Sequence, residues 1–132
     1  MPAVSYSISK ASGVPVITAP TDIDLTNADL LRTVLAGTTA LGHGTFVVDM
    51  TATRFCDSAG LHVLIRAHKR AVAEGGELRL VLGTASVRRL FALTGLDRVI
   101  PSFARLDLAL APDAATTAGA TPPSRPRLRM IA

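Results

Sequence analysis

"TFVVDMTATRFCDSAGLHVLIRAHKRAVAEGGELRLVL", Thr45 to Leu82, sets the frame of the chain. It opens with Thr45–Met50, a continuous apolar run of strand length, the form of a strand covered on both faces. It closes with Glu77–Leu82, a second strand-like run. Between them, from Ser58 onward, Leu61, Leu64, Ile65, His68 and Val72 step by three and four along one helix face. Arg66, Lys69, Arg70 and Glu74 fall on the opposite face, and Gly75-Gly76 ends the helix. The result is strand, helix, strand. At the junction, "FCDSAGL" (Phe55–Leu61) places an acid, a hydroxyl and a glycine within four positions. Those residues cap a helix, perform chemistry or accept a modification.

Upstream, Tyr6 and Ile8 alternate with small polar residues, and Val14–Ala19 follows the Ser12-Gly13 turn, which predicts a hairpin. Pro15, with no N–H, predicts that the second strand starts where a missing donor is tolerable, such as a sheet edge. Thr26 is the expected N-cap of a helix whose stripe is Ala28, Leu31, Val34 and Leu35. Gly37, Gly42 and Gly44 are expected to break the chain after it. Downstream, Thr84 to Gly95 reads as a capped short helix, "VIPSF" as a short last strand and "ARLDLALA" as a short last helix. Strands alternating with helices after an opening hairpin predict an α/β layer fold with a mixed sheet.

The simplest account of Asp57-Ser58 is an N-cap, because both residue types accept hydrogen bonds from unpaired first-turn amides. A cap stabilises by about 1 kcal/mol and explains only one of the two residues. Gly60 costs roughly 0.8–1 kcal/mol against alanine in a helix interior, and a small residue there would keep bulk away from the Ser58 hydroxyl. A helix N-terminus also favours a phosphate, which the amides and the helix dipole receive. From spacing alone both capping and a phosphoacceptor or binding site stay open.

Other chemistries fit less well. Ser58 and His62 are four apart, and Asp24 or Asp49 would complete a triad. The flanks of Ser58, however, lack the glycines of a G-x-S-x-G elbow. A phosphoaspartate receiver built on Asp49 wants a late lysine, and the only lysines are Lys10 and Lys69. No phosphate-binding glycine loop is present, and His43, His62 and His68 lack metal-ligand spacing. Neither cofactor nor metal is expected.

From "FVVDMTATRFCDSAGLHVLIRAHKRAVAEGGELRLVLGTASVRRLFALTGLDRVI" the chain resembles a STAS domain, the family of anti-sigma-factor antagonists and of cytoplasmic domains of sulfate transporters. The resemblance runs from about Tyr6 to Ala111. It implies a mixed sheet of about five strands with an N-terminal hairpin, flanked by about four helices, acting as a phosphorylation-switched binding module. Ser58 matches the family's phosphoacceptor. "TDIDLTNA" is similar to the family's loop beside that serine, with Asp24 matching its aspartate. The partner-binding surface so implied comprises Asp22, Asp24, Asn27, Asp57, Ser58, Ala59, Gly60, Leu61 and His62. In the antagonist branch the unphosphorylated form binds an anti-sigma factor that is also a serine kinase, and a phosphatase reverses the modification. Two departures stand out: Thr21-Asp22 replaces the usual Gly-Glu, and Ala59 leaves one hydroxyl where some members have two. The alternative is a separate STAS subunit regulating a membrane transport complex of the ABC type. No catalytic role is expected.

Charge and composition agree with this. Residues 1–110 hold eleven basic and nine acidic side chains, so the folded part is nearly balanced and predicts no nucleic-acid face. Cys56 is the only cysteine, so no internal disulfide can form. Beside the site it reads as a small packed thiol rather than a redox handle. The start lacks the form of a signal peptide, and no apolar run reaches the ~20 residues of a membrane helix. The expectation is a soluble cytoplasmic protein with a STAS domain at residues 1–111 and a disordered tail at 112–132, where Arg125, Arg127 and Arg129 lie.

Overall fold

The computed structural model describes residues 6–40 and 44–111. The elements run β1 (Ser7–Ala11), β2 (Val14–Thr18), β3 (Asp22–Ile23), α1 (Ala28–Ala40), β4 (Thr45–Met50), β5 (Phe55–Cys56), α2 (Ser58–Ala73), β6 (Glu77–Leu82), α3 (Ala85–Thr94), β7 (Ser102–Phe103) and α4 (Leu106–Ala109). Five strands form one mixed sheet in the order β1-β2-β4-β6-β7, antiparallel only at β1–β2. β3 and β5 pair in parallel apart from it. The predicted α/β architecture, hairpin and helix count therefore stand. The proposed tail lies outside the described residues, as do Gly42 and His43.

Period-two alternation splits the sheet into two faces. Ile17, Phe46, Val48, Met50, Leu78 and Leu80 face α1, α2 and α3 in the main core, whereas Val16, Val47 and Val81 face Phe103 and Ala109 of the thin layer that includes α4. The apolar run Phe46–Val48 is continuous because both sheet faces are covered.

Several local expectations are corrected. β2 is an interior strand, not an edge, and Pro15 is tolerated because pairing with β4 begins only at Val16. Val72 is exposed, and the buried stripe of α2 runs Leu64, His68, Ala71, since 3.6-residue periodicity turns Val72 off the core. Thr26 does not cap α1: its hydroxyl donates to Asp24, and the first helical amides go to the Asp24 carbonyl. α1 also runs through Gly37 to Ala40, so that glycine breaks nothing. The last helix is short, as expected: it lacks a side-chain cap and has only four residues.

Candidate functional site

The site is built where two loops are stitched side by side. β3 and β5 pair Asp22 with Phe55 and Ile23 with Cys56. The amides of Arg54 and Phe55 donate to the Thr21 carbonyl, and the Asp57 amide donates to the Ile23 carbonyl at 3.0 Å. Two-residue strands carry almost no periodic signal, so this small sheet was invisible in the sequence.

Asp57 is the N-cap of α2, and this settles which of the adjacent pair does the capping. Its backbone is extended, and its carboxylate accepts the Gly60 amide at 3.1 Å through Oδ1. The other oxygen, Oδ2, accepts the Leu25 amide at 3.1 Å. One side chain thus caps the helix and clamps the neighbouring loop to it. Ser58, the first helical residue, is left exposed, with no side-chain hydrogen bond among the described residues.

The clamped loop is held from beneath by Asn27, which is buried. Its Nδ2 donates to the Asp22 carbonyl at 2.8 Å, while its Oδ1 accepts from the Asp24 amide at 3.0 Å and the Tyr6 hydroxyl at 3.2 Å. Asp24 accepts from the hydroxyl and amide of Thr26, and these bonds hold its carboxyl below the usual range. Burial, followed by the nearby Cys56 and Asp24, raises the Tyr6 phenol above its ordinary value. Tyr6 therefore stays a neutral donor.

Gly60 has a different reason from the one its position suggested. A Cβ there would lie 2.6 Å from Ile23 Cγ2 and 2.8 Å from Cys56 Sγ. The glycine lets α2 sit directly on the two-stranded sheet; it does not clear room for the Ser58 hydroxyl. Cys56 is buried, and burial with the neighbouring Asp57 charge pushes its thiol up to about 12. A protonated, packed thiol is a poor redox handle.

Of the nine residues implied as partner-binding, Asp22, Ser58 and His62 are exposed and Asp24, Asp57, Ala59 and Leu61 half-buried; Asn27 and Gly60 are buried and act from below. What the sequence did not single out is apolar. Leu25 is 80% exposed and Phe55 51% exposed, one on each stitched loop. The available signal was the lone leucine within the otherwise polar stretch Asp24–Asn27. A nucleophilic triad does not assemble: no hydrogen bond links Ser58 with His62 among the described residues, and Asp24 is engaged by Thr26. Asp49 binds the amide and hydroxyl of Thr51. Among the described residues no group of three or more His, Cys, Asp or Glu clusters to hold a metal, and no helix is long and apolar enough to cross a membrane.

The fold that carries this site has known counterparts. An anti-sigma factor antagonist from Mycobacterium paratuberculosis is 29% identical, with a TM-score of 0.75 over 82% of this chain and 92% of that one. An anti-sigma-factor antagonist (STAS) domain protein from Planctomyces limnophilus superposes at a TM-score of 0.70 with 18% identity, covering 80% of this chain and 94% of that one. The anti-sigma factor antagonist SpoIIAA of Bacillus, in its unphosphorylated form, gives 0.69 at 18% identity, over 84% and 96%. The last two, at that identity, share the fold. No curated protein sequence matches. The family model of the STAS domain matches residues 5–109, and the chain belongs to that family.

Proposed function

We propose that this STAS domain is an anti-sigma factor antagonist, a binding module rather than a catalyst. Its unphosphorylated form docks on an anti-sigma factor with serine kinase activity, phosphorylation of Ser58 ends docking, and a serine phosphatase restores it. The observation that carries this reading is the division of labour at the helix start. Asp57 satisfies the cap, so Ser58 is free of structural duty and exposed beside Leu25 and Phe55. The likeness to the mycobacterial antagonist supports the role, and SpoIIAA is known in both unphosphorylated and phosphorylated forms.

The physics is sufficient. A phosphate adds roughly −2 charge at pH 7, one residue from the Asp57 carboxylate. Pressed between two apolar anchors and a partner, that charge must be dehydrated without a counter-ion. A penalty of about 3 kcal/mol weakens binding more than a hundredfold, since each 1.4 kcal/mol is tenfold. Blocked docking needs no change of fold.

The test is capture from native lysate with wild type, Ser58→Ala and Ser58→Asp, read by mass spectrometry. An anti-sigma kinase captured by the first two and lost with the third is the expected result. Equal capture by all three would remove the charge switch. If the common partner were a transporter ATPase subunit, the chain would instead serve a membrane transport complex.

A further inference from the structure

At the β1 edge the sheet carries apolar surface that the helices leave uncovered. In the hairpin Ile8 lies opposite Ile17 and Lys10 opposite Pro15, and residues directly opposite share a face. Ile17 is buried in the main core, so Ile8 and Lys10 also point to the side of α1. Ile8 is nonetheless 58% exposed. Between this part of the hairpin and α1 lies a cavity of about 460 Å³, within the range of roughly 300–1,000 Å³ usual for small-molecule sites. Ile8, Lys10 and Pro15 form its floor, and Val34, Gly37 and Thr38 form its roof.

Two of these residues make the cavity more than a packing gap. Glycine is the weakest helix former after proline, yet Gly37 stands inside α1, with Thr38–Ala40 continuing the helix after it. No close approach requires it: a Cβ there would meet nothing within 4 Å among the described residues. What its bareness does is keep the roof of the cavity open. Lys10 is the second. It is exposed, makes no ion pair among the described residues, and is the one charged group on the lining. A lysine on an apolar wall lays its stem along that wall and holds its ammonium in water at the mouth. An apolar slot with a single cation at its rim is complementary to an apolar chain that ends in a single negative charge. A phosphate, at roughly −2, would want more cations than this one. We propose that the cavity binds a free medium-chain fatty acid, with its chain between Ile8, Pro15 and Val34 and its carboxylate on Lys10.

The test is an NMR titration of the full chain with octanoate and, in parallel, with octanol. Saturable shifts at the amides of Ile8, Lys10, Val34 and Gly37 are expected, while Val48 in the core does not move. Gly37→Leu puts a side chain into the roof where nothing stands in its way, and leucine is the better helix former. The fold is then retained and the saturable shifts are lost. Lys10→Gln keeps the slot and removes the charge. Wild type should favour the acid over the alcohol by roughly two- to fivefold, the scale of an exposed ion pair, and Lys10→Gln should show no preference. Shifts that are absent in wild type, or that persist unchanged in Gly37→Leu, overturn the site. Equal affinity of wild type for octanoate and octanol overturns the assignment of the carboxylate to Lys10. Shifts at the same amides that grow with protein concentration in the absence of any ligand overturn the proposal in favour of a second copy seated at β1.

Discussion

At the start of α2, the Asp57 carboxylate divides its oxygens between the helix and the Leu25 loop, and the hydroxyl next to it is left to solvent. At the far end of the same helix the closing amides are all bonded to backbone carbonyls. The Gly75 amide donates to Val72 and the Gly76 amide to Ala71, closing a Schellman motif with Gly75 at φ +90°. Gly76 then lies against Gly44, and buried His68 accepts the Leu78 amide through Nδ1 at 3.3 Å. The difference teaches where to look for function on a small fold: at the end of an element where a polar group remains unspent.

Breaking the closed end should have the largest effect on stability. A Cβ on Gly76 would lie 1.6 Å from the Gly44 carbonyl oxygen, a backbone atom that cannot step aside. Gly76→Ala is expected to cost roughly 3 kcal/mol, the upper range for overpacking, measured by urea unfolding. A loss under ~1 kcal/mol would mean that the helix end shifts freely and is no anchor.

His68 provides a second test of the same end. Burial lowers its pKa from 6.5 to about 4, and the Leu78 N–H requires an unprotonated Nδ1. The folded-state value lies below the unfolded one, so the unfolded chain binds the extra proton between those limits. Stability is then full above pH 6.5 and falls as pH drops toward 4. Between pH 7 and pH 4.5 the loss should be on the order of 2–3 kcal/mol, at 1.36 kcal/mol per unit. His68→Gln should remove that slope; an unchanged slope would place the acid sensitivity elsewhere.

The closed end was also the more legible one in sequence. Paired glycines, a helical stripe and a strand-length apolar run are periodic or punctuating signals, and Thr45–Met50 and Glu77–Leu82 emerged with their predicted bounds. Val72 misled because residues at i+7 and i+8 both sit near a stripe, and only packing chooses between Ala71 and Val72. At the open end, Asp57-Ser58 was visible as a pair, but not which member capped. That choice depends on Leu25, 32 residues upstream in sequence and joined to Asp57 by a single amide. The β3–β5 pairing and the exposure of Leu25 and Phe55 are equally nonlocal, so no period records them.

The Asp57 clamp can be cut in halves. Asp57→Ala should cost about 1 kcal/mol, the usual loss of a cap, and release the Leu25 loop as well. Asp57→Asn separates the two roles, because asparagine caps as well as aspartate. Its Oδ1 can keep the Gly60 amide, while its NH₂ would face the Leu25 N–H, donor against donor. Stability within ~0.5 kcal/mol of wild type, with faster hydrogen exchange at the Leu25 amide alone, is expected. Equal protection of that amide would show that Asn27 holds the loop without help.

The smallest change in stability belongs to Ser58 itself. Exposed and without a side-chain partner, it should tolerate Ser58→Ala within about 0.5 kcal/mol. Ser58→Asp should be no worse, since a negative charge in the first helical turn is favourable by roughly 0.3–1 kcal/mol. The two variants therefore fold alike and differ in one charge at one exposed position. Any difference in what they capture then reports the interface and not the fold. Had Ser58 been the cap, Ser58→Ala would unfold the helix start and confound the two. Because Asp57 took that task, matched melting curves beside unmatched binding are the outcome that separates a switch from a structural residue.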